Sequence, residues 1–316
     1  MQTLKLTIFK DGRPGHEKQT QGIVSALKNY VRLDTTCFDV AHNNFFLEMR
    51  DYLRFFLHQE KYPGKDNSVD LIIGTGSRTH IPMLSCKRQC KARAIVSMAP
   101  ARLLRRYFDL CFVPIHDRLE PEVNIFQTIG PPNNSSNKSM HRDNKSLILI
   151  GGVDSRSHHW DQDEIIDNIE QLINHTGNKI WVISSSPRTP SETEIKLEEL
   201  AAKKSNVSFY PFSETVKGWV EQQYNENKVV WITADSISMV YEALSAGCRV
   251  GILPVKWKNK RCKFQFSERY LVEQKRVISF SDWRNGRAQW SEGKPFNEAD
   301  RCAREILQRW WPESLQ

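Results

Sequence analysis

The chain of 316 residues lacks several patterns that define common protein classes. It contains no run of 18 apolar residues, which excludes a conventional membrane-spanning helix. Its seven cysteines form no repeated CxxC pairs, and the odd count suits a reducing compartment better than a disulfide framework. The first ten residues show no charged leader followed by an apolar core, so we expect neither export nor cleavage and favour a cytoplasmic location.

Two nucleotide-binding signatures are also missing. Neither GxxxxGK nor a GxGxxG following the first predicted strand is present, which argues against ordinary ATPases and NAD dehydrogenases. The metal-binding pattern Asp-x-Asp has one near match, Asp161-Gln162-Asp163. Its place before a predicted helix favours helix capping instead, because aspartates are preferred at helix starts. We therefore expect no metal requirement.

The net charge of +8 permits nucleic acid, an anionic membrane surface or phosphorylated substrates as partners. Basic residues concentrate in segments 87–106 and 256–261. Because no nucleic-acid-binding module is recognisable, nucleic acid is not favoured. Contact with anionic lipid headgroups at the cytoplasmic face of a membrane fits better, and a solvated basic face is the alternative. The apolar residues predicted to insert beside the arginines are Leu103, Leu104, Tyr107 and Phe108.

The chain alternates short apolar strands, polar turns and amphipathic helices. This alternation predicts an α/β fold with parallel sheets covered on both faces, and functional residues just after strands. A polar stretch at 133–146, which directly follows Pro131-Pro132, predicts a linker between domains 1–132 and 147–296, with a closing helix in 297–316. The predicted strands are 4–9, 33–38, 71–74, 93–97, 110–114, 147–150, 179–184, 207–210, 229–232, 250–253 and 276–280. The predicted helices are 21–30, 45–59, 163–176, 191–203, 215–226, 236–246 and 297–310.

The segment 229–254 is the most informative because it contains a strand, a polar turn, a helix, a glycine and a second strand. Small oxygen-bearing residues predict a helix start near Ser236, and Gly247 predicts its end. Amides at such a start bind diphosphate, and Glu242 on the same helix is suited to sugar hydroxyls. The alternative is an ordinary capped crossover helix.

Three other stretches of the second domain should meet this helix at one edge of the sheet: the Gly-Gly pair, the serine-rich turn with an arginine, and the residue after the third strand. Glycines allow close approach of a ligand, while serines and arginine bind phosphate oxygens. The predicted nucleotide-sugar site comprises Gly151, Gly152, Ser184, Ser185, Arg188, Phe212, Asp235, Ser236, Met239 and Glu242.

In the first domain, the segment Asp11-Gly-Arg-Pro-Gly-His16 follows the first predicted strand. Transfer of a glycosyl group to a hydroxyl needs a base near the acceptor oxygen, and either Asp11 or His16 suits that role. The alternative is that both are turn residues. Further residues predicted to contact the acceptor are Arg13, Gly15, Gly74, Ser77, Arg78, His116 and Asp117. The last two could instead cap a helix.

Nearly the whole chain resembles the plant mitochondrial fission factor family and its bacterial relatives, to which a lipopolysaccharide outer-core glycosyltransferase activity is ascribed. The motifs that carry the resemblance are Asp11-Gly-Arg-Pro-Gly-His16 with Gln19 and Gly22, Gly74-Thr-Gly76, His116-Asp117, Gly151-Gly152, and Thr233-Ala-Asp-Ser-Ile-Ser-Met239 with Glu242 and Gly247.

This resemblance implies the GT-B arrangement, in which two Rossmann-like domains face each other across a cleft and the C-terminal helix crosses back to the first. The second-domain motif also resembles the donor helix of GT-B enzymes that build peptidoglycan and lipid A, whose carboxylate corresponds to Glu242. The resemblance, together with the lack of a metal-binding pattern, predicts a metal-independent glycosyltransferase that binds a nucleotide-sugar in the second domain and a glycolipid or phosphorylated acceptor in the first.

Two other function classes stay open. Plant members are discussed as adaptors that recruit a dynamin-like protein to the outer mitochondrial membrane, which implies a non-catalytic binding platform. A nucleotide-sugar epimerase or hydrolase would keep the fold and need a further acid or base near the hexose, for which His116 and Asp117 are the candidates.

Overall fold

The computed structural model of the protein describes residues 2–40, 45–58, 68–259, 262–290 and 295–316. The chain divides into two compact units. The first unit consists of Met1–Asn134 together with Asn297–Gln316, and the second consists of Ser135–Phe296. No helix within the described ranges is both long and apolar enough to cross a bilayer.

Both units alternate strands and helices over the described residues. In the first unit the elements are β1 (Thr3–Lys10), α1 (Pro14–Leu27), β2 (Arg32–Asp39), α2 (Phe45–Phe56), β3 (Leu71–Thr75), α3 (His80–Cys90), β4 (Arg93–Ser97), α4 (Arg102–Arg105), β5 (Leu110–Pro114) and β6 (Ile125–Thr128). In the second they are β7 (Arg142–Leu149), β8 (His158–His159), α5 (Gln162–His175), β9 (Ile180–Ser184), α6 (Ser191–Ala202), β10 (Val207–Tyr210), α7 (Trp219–Glu226), β11 (Asn227–Thr233), α8 (Ile237–Ser245), β12 (Arg249–Leu253), β13 (Lys256–Trp257), α9 (Lys263–Glu273), β14 (Val277–Ser279) and α10 (Phe280–Arg284). The closing helix α11 (Glu298–Trp310) returns to the first unit.

Each unit is built on a six-stranded parallel sheet, which confirms the predicted α/β fold with two Rossmann-like sheets. The first sheet has the order β2-β1-β3-β4-β5-β6, and the second has the order β10-β9-β7-β11-β12-β14. In the first sheet the chain runs outward from β1 to β2 and then crosses back to β3, so the direction reverses between β1 and β3. The second sheet reverses in the same way between β7 and β11. Ligands of open α/β sheets bind at the carboxyl ends of the strands at such switch points.

The first sheet is covered on both faces. Leu71 and Ile73 of β3 belong to the apolar cluster that contains α1 and α11, whereas Ile72 belongs to the cluster that contains α3. All three side chains are fully buried, as the continuous apolar sequence of a parallel strand predicts. The helix α11 contributes Ile306 and Leu307 to the first cluster with no exposed surface, so the closing segment is part of the first unit's core.

Three differences from the sequence prediction matter for the site. The helix α1 begins at Pro14, seven residues before the predicted start, because a proline with fixed φ is well suited to the first helical position. The strand β7 begins at Arg142, so residues 142–146 of the predicted linker pair with β11 instead. The helices α3 and α9 and the strand β6 lack a clear sequence pattern and were not predicted.

Candidate functional site

The carboxyl end of β1 positions an aspartate and a histidine as a hydrogen-bonded pair. The Asp11 residue is only 2% exposed, and its Oδ2 lies 2.7 Å from Nδ1 of His16 in the first turn of α1. The other carboxylate oxygen accepts the backbone N–H of Arg13 at 3.1 Å. Since a carboxylate can only accept, Nδ1 of His16 donates in this contact, and Nε2 is the ring nitrogen left to take up a substrate proton.

A glycine at the end of β3 makes room for this pair. The backbone of Gly76 has φ +93°, a conformation that residues other than glycine rarely adopt. A Cβ atom at this position would lie 2.4 Å from Nδ1 of His16 and 2.7 Å from Oδ2 of Asp11. The pair therefore occupies the switch point between β1 and β3 and depends on glycine there.

Two further polar contacts fix the start of α1 against the sheet edge. The hydroxyl groups of Thr20 and Thr75 lie 2.7 Å apart, and Ser97 donates to the side-chain carbonyl of Gln19 at 2.9 Å. A cavity of about 220 Å³ runs beside the pair along α1, β1 and β2. Its lining includes Asp11, His16 and the two lysines Lys10 and Lys28.

The other predicted acceptor residues are distributed around this edge. Arg13, Gly15 and Ser77 are exposed, and Arg78 is half-buried, so these four residues form an accessible rim. In contrast, Gly74 lies inside β3, where a Cβ would be 2.7 Å from Sδ of Met83, so its role is packing.

The predicted His116-Asp117 cluster follows β5. The strands β3 and β4 separate β5 from β1, which places this cluster about 14 Å along the sheet from the Asp11–His16 pair at the usual strand spacing. The Nε2 of His116 lies 3.9 Å from Oδ1 of Asp117. The two clusters are therefore separate in the sheet, and the structure does not bring them together.

In the second unit, the Gly151-Gly152 turn after β7 approaches the end of β11 closely. The Gly151 N–H donates to the Thr233 hydroxyl at 2.7 Å, and the Gly152 N–H donates to Oδ2 of Asp235 at 3.1 Å. A Cβ on Gly151 would lie 2.0 Å from that same carboxylate oxygen. Any larger residue there would push the two strand-end loops apart.

An arginine is fixed at this switch point by the buried aspartate. The guanidinium of Arg188 donates to Oδ2 of Asp235 at 2.8 Å and to the Gly152 carbonyl at 3.3 Å. The Asp235 side chain is 1% exposed, whereas that of Arg188 is 43% exposed. Within the described residues, Oδ1 of Asp235 is buried without a hydrogen-bond partner. The aspartate therefore orients a guanidinium that remains accessible to an anion.

Arg188 and Asp235 line an open cavity of about 610 Å³, within the usual size range of ligand sites. The start of α8 also lines it, through Ser236, Ile237, Ser238 and Met239. The Ser236 hydroxyl does not cap the helix and instead lies 3.2 Å from Oδ2 of Asp235. The Met239 N–H donates to the Ser236 carbonyl at 2.9 Å. The amides of Ile237 and Ser238 are the first-turn donors left for a bound anion, because helix starts leave such donors without an intrahelical acceptor.

Six predicted donor residues lie outside the lining of this cavity, and two of them are the glycines of the Gly151-Gly152 turn. Ser185 donates to the Glu194 carboxylate and accepts the backbone N–H of Phe212 at 2.8 Å, so it braces the loops after β9 and β10. Ser184 is buried at 1% exposure, and the Phe212 side chain is 48% exposed. Glu242 is 9% exposed and lies on the face of α8 that carries Ser238 and Met239, one turn deeper in the helix.

Sequence reasoning missed several lining residues. Val153, Asp154 and Ser155 follow the same strand as the glycine pair, so the rule that sites follow strands could have found them. Phe264 comes from α9, which lacks a sequence signal. Ser186, which belongs to the predicted serine-rich turn, donates to the Gly151 carbonyl at 2.7 Å and so supports the glycine turn.

The described residues contain no group of three or more His, Cys, Asp or Glu side chains arranged to hold a metal ion. The Asp161 carboxylate accepts the N–H of Glu164 at 3.1 Å and is the N-cap of α5, which agrees with the capping interpretation. Lys256 donates to the same residue at 2.7 Å, and these hydrogen bonds lower the pKa of Asp161.

The predicted basic and apolar surface is smaller than the sequence indicated. Leu104 of α4 and Phe108, three residues after it, are buried at 0% and 2% exposure in the apolar cluster that contains α3, so their predicted insertion into lipid is wrong. Leu103 is 73% exposed. The Lys87 ammonium is engaged with Asp109 at 2.8 Å, which reduces the free positive charge of this segment.

With both switch points described, the chain can be compared with known proteins. Its fold is that of GT-B-type proteins with two Rossmann-like units. The UDP-GlcNAc 2-epimerase from Methanocaldococcus jannaschii is 14% identical with a TM-score of 0.56, over 97% of this chain and 99% of that chain. The UDP-GlcNAc 2-epimerase from Neisseria meningitidis, solved bound to UDP-GlcNAc, is 14% identical with a TM-score of 0.54, over 99% of each chain. At these identities the likeness establishes the fold alone.

A model of the mitochondrial fission ELM1 family matches residues 14–310, so the chain belongs to this family. The match confirms the resemblance drawn from the sequence motifs. Among curated proteins, none matches the chain.

Proposed function

We propose that the protein is a metal-independent glycosyltransferase that moves a sugar from a nucleotide-sugar to a glycolipid acceptor of the lipopolysaccharide-core type. The observation that carries this proposal is the Asp11–His16 pair, a buried carboxylate that orients an imidazole at a sheet switch point. A buried carboxylate that holds one ring nitrogen fixes the tautomer and stabilises the imidazolium, which is the arrangement of a general base.

The second unit would bind the donor in the cavity at the start of α8. The diphosphate meets the Arg188 guanidinium and the free amides at the start of α8, while the glycine turn holds Asp235 and Arg188 in place. These groups supply the positive charge that a departing nucleoside diphosphate needs, which supports a reaction without metal. The similar Neisseria meningitidis enzyme was solved bound to UDP-GlcNAc, which also favours a nucleotide-sugar. Glu242, one turn below Met239, is the proposed partner of sugar hydroxyls.

In the proposed reaction, the acceptor hydroxyl attacks the anomeric carbon of the donor. The new carbon–oxygen bond forms as the bond from that carbon to the diphosphate breaks, and the nucleoside diphosphate leaves. Nε2 of His16 takes the hydroxyl proton, and Asp11 stabilises the resulting imidazolium through Nδ1. The cavity beside the pair would hold the acceptor, with Lys10 and Lys28 favouring a phosphorylated group.

The first unit also offers an apolar surface for a membrane-borne acceptor. Leu53 and Leu57 at the end of α2 are 57% and 62% exposed, and the ring of nearby Phe56 lies 6.4 Å from that of Tyr107 beside α4. With exposed Leu103, these residues would enter the interface of an anionic membrane. Sedimentation with phosphatidylglycerol vesicles tests this: binding should fall in a Leu53→Asp, Leu103→Asp variant, and unchanged binding would contradict the proposal.

The central experiment separates donor binding from catalysis. Calorimetry with UDP-, GDP-, CMP- and ADP-sugars in EDTA should show one donor that binds wild type, weakened tenfold or more by Arg188→Gln because a charge-assisted contact is lost. Turnover, measured as transfer of labelled sugar to lipid-extractable material, should fall about 10²- to 10⁴-fold in His16→Gln with donor affinity unchanged. His175→Gln on α5 is the matched control. Binding by no donor would contradict the proposal.

An epimerase or hydrolase is the second candidate, since the similar solved structures reported above are 2-epimerases. It differs from the transferase in needing no acceptor. The test is to incubate the protein with a UDP-sugar in D₂O, without an acceptor, and to follow the sugar by proton NMR. If the protein is a transferase, the sugar should stay unchanged. Deuterium incorporation or a new sugar would instead support the epimerase or hydrolase.

A non-catalytic adaptor is the third candidate function, and membership in the mitochondrial fission ELM1 family favours it. An adaptor predicts no turnover with any donor.

A further inference from the structure

A two-stranded antiparallel sheet stands apart from the two large sheets. In it, Trp257 of β13 pairs with His158 of β8. Each strand has only two residues, and so short a pair has little stability of its own. The contacts of the His158 and Trp257 side chains therefore matter for holding these two strands together.

Those side chains form an aromatic series beside the donor cavity. The Trp257 ring lies 6.0 Å from that of His158 in an edge contact and 6.5 Å from that of Phe264 in a stacked contact with an interplanar angle of 28°. The indole N–H of Trp257 donates to Glu268 of α9 at 2.9 Å, which fixes the plane of the ring. Burial raises the pKa of Glu268. Trp257 is therefore a fixed support behind Phe264.

The series is tied to the phosphate-facing part of the cavity. His158 is 2% exposed, and its Nε2 donates to the Gly152 carbonyl at 3.0 Å. The same glycine donates its N–H to Asp235, the partner of Arg188. The backbone turn beside the anion-binding residues is thus held by His158 of the small sheet, whereas Phe264 itself, in the described part of the chain, makes no hydrogen bond to that turn.

Phe264 itself lines the cavity, as do the apolar residues Val153, Ile237 and Met239. The remaining lining is polar and includes Arg188 and the α8 start. The cavity therefore combines an anion-binding part with an apolar wall. In a nucleotide-sugar the diphosphate matches the first part. The planar base matches the second, because a hexose carries hydroxyl groups around its ring whereas a base has an apolar face that stacks on aromatic side chains.

We propose that Phe264, supported by Trp257, stacks on the nucleobase of the donor and is a main determinant of nucleotide affinity. This inference rests on the proposed function. It assigns a role to the small sheet β8–β13 and to α9, which together position the ring. The loss of such a stacking contact weakens binding by about 5- to 150-fold.

The test compares two probes that differ in the base. Calorimetry in EDTA measures the affinity for the best-bound nucleoside diphosphate among UDP, GDP, CDP and ADP, and for inorganic pyrophosphate, which lacks the base. Phe264→Ala should weaken nucleoside diphosphate binding at least fivefold and leave pyrophosphate binding unchanged. Phe264→Leu should show a smaller loss, because it keeps the apolar contact without the ring face, and thermal unfolding verifies that both variants fold.

The matched control is Phe266→Ala on the same helix. Phe266 stacks on Tyr270 at 6.4 Å and is not among the described residues that line the cavity. This variant should bind both probes like wild type. In addition, the tryptophan fluorescence change on nucleotide binding should be lost in Trp257→Phe if Trp257 stands directly behind the stacked base.

The outcomes separate this inference from the proposed function. If wild type binds a nucleoside diphosphate and Phe264→Ala binds it equally well, the inference is overturned and the donor site stands. If Phe264→Ala weakens the binding of a UDP-sugar but not the binding of UDP, Phe264 contacts the sugar and the inference is overturned. Equal weakening of pyrophosphate and nucleoside diphosphate shows a purely structural role and overturns it too. If wild type binds no nucleotide, both fall.

Discussion

Replacement of Gly76 by alanine tests whether the Asp11–His16 pair depends on this glycine. The backbone of Gly76 has φ +93° and ψ 154°, a region used almost only by glycine, so alanine costs about 1–3 kcal/mol in strain. The new Cβ would lie 2.4 Å from Nδ1 of His16, about 1 Å short of an ordinary contact. Displacement of the imidazole would break a hydrogen bond to a charged group, worth about 1.5–3 kcal/mol. The two contributions together predict that the free energy of unfolding falls by about 2.5–6 kcal/mol.

Two glycine controls separate strain from crowding. Gly177 also has positive φ, at +68°, but nothing lies within 4 Å of its Cβ position, so Gly177→Ala should cost only the backbone term of about 1–2 kcal/mol. Gly15 in the first turn of α1 has open space around its Cβ position and should accept alanine without loss. Urea unfolding combined with hydrogen-exchange mass spectrometry reports each unit separately: β1 and α1 report Gly76→Ala and Gly15→Ala, and α5 and β9 report Gly177→Ala in the second unit.

A second readout follows the pair itself. In wild type, ¹⁵N NMR of histidine should show His16 with the proton on Nδ1, and Gly76→Ala should abolish this preference and the turnover. The reasoning is refuted if Gly76→Ala costs no more than Gly177→Ala and the His16 tautomer is unchanged, because the glycine would then have no role in holding the pair.

Three further predictions concern the two units. Burial lowers the pKa of His80 to about 4, so the unfolded state binds this proton more readily; stability should fall by on the order of 3 kcal/mol as the pH drops from 6.5 to 4, and a urea titration of His80→Gln against pH should lack that component. Gly151→Ala should abolish donor binding in calorimetry, since its Cβ would lie 2.0 Å from the Asp235 carboxylate, whereas retained binding would contradict the close-approach role. Leu307→Ala should cost about 2–5 kcal/mol in urea unfolding because this α11 side chain is fully buried in the first unit, and a loss below 1 kcal/mol would show that α11 is not part of that core.

The sequence predicted most of the strands because parallel strands buried on both faces are short apolar runs that need no tertiary context to be recognised. β4, β5 and β10 have the predicted bounds, and the β11–α8–β12 unit lies where the pattern placed it. The predicted start of α1 was wrong because Gly12 and Gly15 are typical of a loop, whereas the helix begins at Pro14. The helix α9 was missed because its polar residues show no clear helical period, and Phe264 was missed with it.

The candidate site shows the same division. The motifs identified Asp11, His16, Arg188 and Asp235 because carboxylates, imidazoles and guanidinium groups after strands are visible in a sequence. Only the tertiary structure decided that Asp11 orients His16, that Arg188 is held by Asp235, and that Ser185 braces a loop instead of lining the cavity. A sequence records which groups follow which strand. The order of the strands in the sheet decides which strand ends are neighbours, and that order is set by packing between residues distant in the chain.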